Sequence, residues 1–411
     1  MSAPESPRPL HVRVSPAAER AIRSGHPWVY SDSIRDQNRE GATGDLGVIF
    51  DRRDRFLAIG LLDTDSPLRI RILHAGPPTA INDAFWRARL ETALERRSGI
   101  FGPDTTGYRC LYGESDGWPG LVLDRYGDTL VLKAYTAAWL PRLKTLLDLL
   151  RDRLAPDRLV LRFSRNTKAA AEAAGFWDGA NAWPAGEEDR VAFLENGLTF
   201  ESEVVRGQKT GFFLDQRDNR QRLERKTQGA DVLNVFSFTG GFSLYAARGG
   251  ARSVTDLDIS AHALTQARRN FACNARIPSV ASARHEQIQA DAFEWLASNS
   301  KPRFDVLILD PPSLARRESE RAEALLAYGR LASSGLRLLR PGGLLLAASC
   351  SAHVSASEFF ATVRNAANRH GKAFRELETT GHPADHAATF AEAAYLKAIF
   401  LQLEPAPGRG R

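Results

Sequence analysis

With 411 residues, 43% of them hydrophobic and 25% charged, the chain is too long for one ordinary core and too apolar for disorder. Its formal net charge of +6 permits a polyanionic partner without demanding one. Three scattered cysteines, Cys110, Cys273 and Cys350, without CxxC spacing argue against disulfides and a zinc site, and no apolar stretch approaches the roughly 20 residues of a membrane span.

Residues 1–9, rich in Pro and Ser, read as a frayed tail without the apolar core of a secretory signal, so a cytoplasmic protein with no membrane association is expected. Residues 10–76 read as a small all-β unit, with strands at DLGVIFD, RFLAIGLLD and PLRIRILH. In LRIRIL the period is two, which puts Leu68, Ile70 and Ile72 on one face and Arg69 and Arg71 on the other. Those arginines are either a solvated sheet face or a phosphate-contacting ridge. GPPT, residues 76–79, is a linker. The stretch INDAFWRARLETALERRSGI predicts a helix capped by Asn82 or Asp83, with Phe85, Leu90 and Leu94 buried. Three strands, a helix around Leu140–Leu154 and a strand at RLVLRFS complete a second, α+β unit, residues 80–195.

From residue 196 to 411 the style changes. After a hairpin-like GLTFESEVV, strands alternate with helices: ADVLNVFSF, then GGFSLYAARGG; RSVTDLD, then SAHALTQARRNFACNA; FDVLILD, then ERAEALLAYGRLASSGLRLL; and GGLLLAASC. Alternation of this kind with continuous apolar runs predicts an α/β fold, a doubly wound and mostly parallel sheet.

Ligands of such sheets lie at the carboxyl ends of the strands. The strand through Phe236 and Ser237 is predicted to end near Phe238 and to turn through Thr239, Gly240 and Gly241 into a helix. The turn lacks the GxGxxG spacing that admits a pyrophosphate, which favours S-adenosylmethionine over a dinucleotide. Asp258 ends the next strand and is placed to accept the two ribose hydroxyls. Asp291 follows a third strand, near the adenine amino group, and Asp310 ends a fourth, beside the reacting methyl. An Asp at a strand end is as often a helix cap, so the order and spacing of the set carry the reading.

The chain resembles the bacterial ribosomal-RNA methyltransferases of the RlmI type over nearly its whole length. The likeness rests on GHPWVYS (25–31), GESDGWPGLVLDRYG (113–127), QKTGFFLDQRDNR (208–220), NVFSFTGGF (234–242), FDVLILDPP (304–312) and SCS (349–351). The resemblance implies a PUA-like RNA-binding domain (10–76), a central α+β domain (80–195) and a C-terminal Rossmann-like methyltransferase domain (196–411). It also implies large-subunit ribosomal RNA as substrate, C5 of cytosine as the methylated atom, and Gln216 and Arg217 as cofactor or substrate contacts; a homodimer is compatible with it. Read alone, the segment around Gln216 is the start of an amphipathic helix with Asp215 as its cap. Two departures are Ser313, where relatives usually carry a basic residue after DPP, and the shifted proline of GHPADHAATF.

Cytosine C5 becomes nucleophilic only after a thiolate adds to C6. Cys350, at the end of the strand after that of Asp310, is the candidate nucleophile, with Asp310 steadying N3; the alternative is a small cysteine packed at a strand end. Cys110 and Cys273 read as structural, and His353 and His386 have no firm role. Two other functions stay open: a methyltransferase acting on a guanine nitrogen without covalent catalysis, and a non-catalytic RNA-binding assembly factor. Loss of activity in Cys350→Ala and binding of S-adenosylmethionine discriminate them.

Overall fold

The computed structural model describes residues 9–183, 188–301, 303–371 and 373–405. All but the last residue of the expected tail, 1–9, lies outside the described residues. The chain divides into two compact units: Met1–Gly197 with Ser202–Phe212 and Ala384–Phe390, and Leu198–Glu201 with Phe213–Pro383 and Ala391–Arg411.

The first unit holds two sheets. Strands β1 (Leu10–Val14), β2 (Trp28–Val29), β3 (Ile34–Gln37), β4 (Leu46–Phe50), β5 (Phe56–Leu62) and β6 (Ile70–Ala75) form a six-stranded sheet in the order β2-β6-β5-β4-β1-β3. Between β1 and β2 lies a helix that the all-β reading of residues 10–76 missed, α1 (Pro16–Arg23). Its signal is Ser15-Pro16, in which the Ser15 hydroxyl accepts from Ala18 N–H and proline occupies the first turn. In β6 the period-two pattern breaks after Ile70: the consecutive Ile59 and Gly60 of β5 pair with His74 and Ile72, so Leu73 is the extra residue of a bulge in β6, and it, rather than Ile72, is buried in the core.

Helix α2 (Asp83–Glu95) is capped by Asn82 and buries Leu90 and Ala93, while Phe85 and Leu94 stay half-buried. The second sheet has the order β10-β9-β8-β7, from β7 (Gly107–Tyr112), β8 (Leu121–Tyr126), β9 (Thr129–Ala134) and β10 (Arg158–Phe163). Helix α3 (Leu143–Leu154) supplies Leu143, Leu146, Leu147 and Leu150 to its core, together with Trp118 and Trp139. A short α4 (Lys168–Ala173) follows β10, and a hairpin of β11 (Arg190–Glu195) and β12 (Leu198–Glu203) carries the chain onward.

The second unit is built on seven strands: β13 (Asp231–Val235), β14 (Ser253–Asp258), β15 (Arg284–Gln289), β16 (Phe304–Leu309), β17 (Leu339–Ser349), β18 (Phe374–Thr380) and β19 (Lys397–Leu403). Their order is β15-β14-β13-β16-β17-β19-β18, with β13 to β17 mutually parallel and β19 antiparallel between its neighbours. Helices α5 (Arg217–Glu224), α6 (Gly241–Arg248), α7 (Ala261–Cys273), α8 (Pro278–Ser282), α9 (Ala292–Ser298), α10 (Arg321–Leu338) and α11 (Ala356–Arg369) complete the unit. Apolar side chains of β13, β16, β17 and β19 make one core with those of α10 and α11. Each central strand is covered on both sides, which is why FDVLIL and LLLAAS read as unbroken apolar runs. The chain winds outward from β13 to β15 and returns to place β16 on the other side of β13. Strand order therefore reverses between β13 and β16, and the carboxyl ends of those strands open a crevice.

Candidate active site

The turn after β13 departs from expectation in its first residues. The strand ends at Val235, not near Phe238, because the backbone switches to left-handed conformations at Phe236 (φ 60°), Phe238 (φ 49°) and Gly240 (φ 74°). Two bulky aromatics with positive φ are a costly arrangement, of order 1–3 kcal/mol each, and such outliers persist where a site needs them. Three groups hold the turn. Asp258 Oδ2 accepts from Phe238 N–H at 2.9 Å, Asn270 Nδ2 on α7 donates to the Thr239 carbonyl at 2.8 Å, and Phe213 packs edge-on against Phe238 at 5.0 Å. Gly240 is required twice over, since besides its positive φ an added Cβ would lie 2.9 Å from Ala267 Cβ.

Beneath the turn lies a network that sequence reasoning missed. Asp256, fully buried, accepts from the Ser243 hydroxyl and faces His285 Nε2 at 2.7 Å; Asn234 Nδ2 donates to Ser243 Oγ, and His285 stacks on Phe271. Asp256 stands two residues before Asp258 in TDLD, on the same side of the strand by the period of two, and is buried where Asp258, at the strand end, is partly exposed.

Asp258 ends β14 and uses one carboxylate oxygen on Phe238 N–H and the other on Ser260 N–H. Each oxygen keeps a further lone pair for a ligand hydroxyl. Asp291 is the N-cap of α9, its Oδ1 accepting from Glu294 N–H at 3.0 Å. Gln216 and Arg217 are both buried; Gln216 Oε1 accepts from Asn219 Nδ2 at 2.6 Å. Asp215 is no helix cap: it lies inside a 3-10 turn and its Oδ2 accepts from Tyr395 Oη at 2.7 Å.

Asp310 and Cys350 leave neighbouring parallel strands. Leu309 of β16 pairs with Ala347 of β17 as the last pair of the register; Asp310 directly follows β16, and Cys350 directly follows the end of β17 at Ser349. Cys350 is half-buried, whereas Cys110 is sealed in the core, where burial pushes its thiol up to about 12, and Cys273 is exposed. The two loops that carry Asp310 and Cys350 are locked together by Ser351. Its Oγ accepts from Leu314 N–H (3.0 Å) and Ala315 N–H (3.2 Å) and lies 3.2 Å from Ser313 Oγ and 2.8 Å from Tyr328 Oη. Ser313 thus ties one loop to the other.

The remaining candidates lie elsewhere. His353 is an exposed side chain 3.5 Å from Glu318, and His386 is fully buried beside Asp385 in the first unit. Both arginines of the LRIRIL ridge have partners within the first unit. Arg71 is ion-paired with Glu114, which also accepts from Trp28 Nε1, and Arg69 donates to the Thr64 carbonyl. Arg162 is buried against Asp178, which the half-exposed Lys168 also meets. The motifs GHPWVYS and GESDGWPG meet in the Trp28–Glu114 bond.

A family model for S-adenosylmethionine-dependent methyltransferases matches residues 169–402, and one for a PUA-like domain matches residues 12–75. A Deinococcus radiodurans protein named "Ribosomal RNA large subunit methyltransferase" is 58% identical over 98% of this chain and 100% of its own length. "Ribosomal RNA large subunit methyltransferase I" of Shewanella denitrificans is 34% identical over 96% and 99%. Among solved structures, a Streptococcus mutans protein described as a SAM-dependent methyltransferase shares the fold at TM-score 0.80 and 21% identity, covering 95% of this chain and 99% of that one. A methyltransferase complexed with SAH does so at TM-score 0.80 and 22% identity, with the same coverage.

The sheet order, the turn and the matched model define an enzyme of the methyltransferase class with an N-terminal PUA-like domain. The chain belongs to the S-adenosylmethionine-dependent methyltransferase family. The turn suits that cofactor. Ser237 Oγ and Thr239 Oγ1 are buried with no hydrogen-bond partner among the described residues, and Asp258 retains acceptor capacity beside them. Among the described residues no helix is long and apolar enough to cross a membrane.

Proposed function

We propose that the chain methylates C5 of a cytosine in large-subunit ribosomal RNA through a covalent bond between Cys350 Sγ and the pyrimidine C6. The observation that carries this reading is the pairing of β16 with β17, which brings a half-buried thiol and a carboxyl group out at one edge of the sheet, one strand from the glycine turn. The names of the relatives supply the substrate class.

S-adenosylmethionine, when bound, supplies an electrophilic methyl group on a sulfonium. Phe236, Ser237, Phe238, Thr239, Gly240 and Gly241 form its wall, Asp258 takes its ribose hydroxyls, Asp291 meets its adenine, and Asp310, Gln216 and Arg217 border its reactive end. Cys350 thiolate donates an electron pair to C6, and the ring π electrons move to give C5 enamine character, while the Asp310 carboxyl group hydrogen-bonds N3 and stabilises the charge that collects there. Once C5 carries the methyl group, its proton leaves to a base, the C5–C6 double bond re-forms and Sγ departs with its electron pair. Residues 10–76 act as the RNA-binding module, 80–195 as the central domain and 196–411 as the catalytic domain. With ribosomal RNA as substrate, the workplace is the cytoplasm.

The test is methyl transfer from a labelled donor to ribosomal RNA isolated from cells lacking the gene, with nucleoside mass mapping. The wild type is expected to yield 5-methylcytosine, and Cys350→Ala none. A Cys350→Ala protein that still methylates, or a methylated guanine in place of cytosine, overturns the covalent mechanism.

A further inference from the structure

Lys397 is a buried cation that the mechanism above does not use. It opens β19, is 2% exposed, and stands opposite Ser349, the residue before Cys350, in the antiparallel pairing of β17 and β19. Its Nζ donates to the carbonyls of Ser351 and Val354, both at 2.5 Å, and so closes the turn that begins at Cys350. An ammonium has three protons, and carbonyls accept them without cancelling the charge. A buried charge without a counter-ion is costly.

The groups that face it come from three elements. Cys350 follows β17, Glu358 lies in the first turn of α11, and Tyr328 of α10 reaches the same turn through Ser349 and Ser351. Glu358 is already engaged by Arg321 and by the Ser355 cap. Tyr328 is neutral, since burial holds its phenol above the ordinary value. The remaining anionic function is the thiolate of Cys350. Burial brings Lys397 down to about 8, and Cys350 and then Glu358 act in the opposite sense, favouring its charge. The same attraction acts reciprocally on the sulfur.

We propose that Lys397 is the positioning residue of Cys350: its ammonium fixes the Ser351–Val354 turn that presents the thiol and is the cation against which the thiolate forms. This rests on the reading of Cys350 as nucleophile. In the ionisation the Sγ–H bond breaks, the electron pair stays on sulfur, and the proton goes to water; Lys397 holds its three protons at neutral pH, below its own value of about 8.

The experiment is iodoacetamide alkylation of Cys350 in the full-length protein, followed by mass spectrometry from about pH 6 to about pH 10 on a Cys273→Ser background. Cys110 is silent, being buried with its thiol near 12. The wild-type midpoint is expected about one pH unit or more below the ordinary thiol value of about 8.5. Lys397→Met should raise it by about one unit, leaving roughly tenfold less thiolate at neutral pH, and Lys397→Arg should restore it. A folded Lys397→Met with an unshifted midpoint overturns the proposal. Should that variant fail to fold, a wild-type midpoint at or above the ordinary value overturns it alone. Methyl transfer by Cys350→Ala reads the nucleophile separately, so failure of either idea is seen without the other.

Discussion

Ser351 Oγ stands 2.8 Å from Tyr328 Oη while accepting the backbone N–H groups of Leu314 and Ala315, so one hydroxyl joins the loop after Asp310 to the loop that carries Cys350. Ser351 and Tyr328 are both buried, and Ser349 adds a further bond to the Tyr328 hydroxyl at 2.8 Å. Replacing Ser351 by alanine orphans two N–H donors at once. The expected loss is about 1–3 kcal/mol in urea unfolding. Activity should fall more than stability suggests, by roughly tenfold to a hundredfold in kcat with cofactor affinity nearly unchanged, because Asp310 and Cys350, proposed above to react, lose their common reference. Ser313→Ala removes only a partly exposed partner and should cost well under half as much on both measures. Equal effects of the two substitutions would remove Ser351 from its role as the link.

The turn after β13 gives a second prediction, with an internal control. Gly240 and Gly229 have similar positive φ values, 74° and 68°, but a Cβ on Gly240 would meet Ala267 Cβ at 2.9 Å, while one on Gly229 would meet nothing within 4 Å. Gly229→Ala should therefore cost only the left-handed backbone term, about 1–2 kcal/mol. Gly240→Ala adds the crowding of α7, about 1–3 kcal/mol more. It should also weaken S-adenosylmethionine binding in calorimetry, an effect absent from Gly229→Ala.

Much of this arrangement was legible in the chain, for physical reasons that differ by region. FDVLIL and LLLAAS announce strands covered on both faces, and the residues at their ends, Asp310 and Cys350, follow from the rule that ligands meet the carboxyl ends. The turn at Phe236–Gly240 was legible as a turn but not as a strained one, because Phe gives no local signal for positive φ. Asp256 and Asp258 share a strand face two residues apart, and a reading drawn to the strand end passed over the buried one. The LRIRIL pattern shows which face carries arginine but not what stands across from it; Glu114 lies 43 residues away in sequence from Arg71. Lys397, α11 and the last two strands were not read at all, although Ser355-x-x-Glu358 is a capping box and AIFLQL a buried run.

Asp258 supports a third prediction. Its two oxygens accept from Phe238 N–H at 2.9 Å and Ser260 N–H at 2.8 Å, so it shapes the turn besides making the proposed ribose contact. Asp258→Asn keeps one acceptor of the two and loses the charge, which should cost about 1–3 kcal/mol of stability and weaken cofactor binding at least about tenfold. Asp291→Asn is the comparison, since asparagine caps a helix as well as aspartate and α9 should be unaffected. Any change in cofactor affinity there reports a ligand contact and not a fold defect. Unchanged affinity in Asp258→Asn would dismiss the ribose assignment.

Acid stability is expected to trace in part to Glu358. Its carboxyl group is held down to about 2, from an ordinary 4.5, first by the Arg321 guanidinium, then by the Ser355 hydroxyl and backbone N–H. A carboxylate lowered in the folded state favours folding above its unfolded pKa, and that contribution fades as pH falls from 4.5 toward 2, where both states become protonated. The side chain is partly solvated, so screening limits the contribution to no more than about 1 kcal/mol. Glu358→Gln separates the ion pair from the cap, because glutamine still serves at the third position of a capping box. The variant should be slightly less stable than wild type at neutral pH, and the difference should vanish by about pH 2 in urea titrations. A difference that persists at that pH would assign the effect to the cap and not to Arg321.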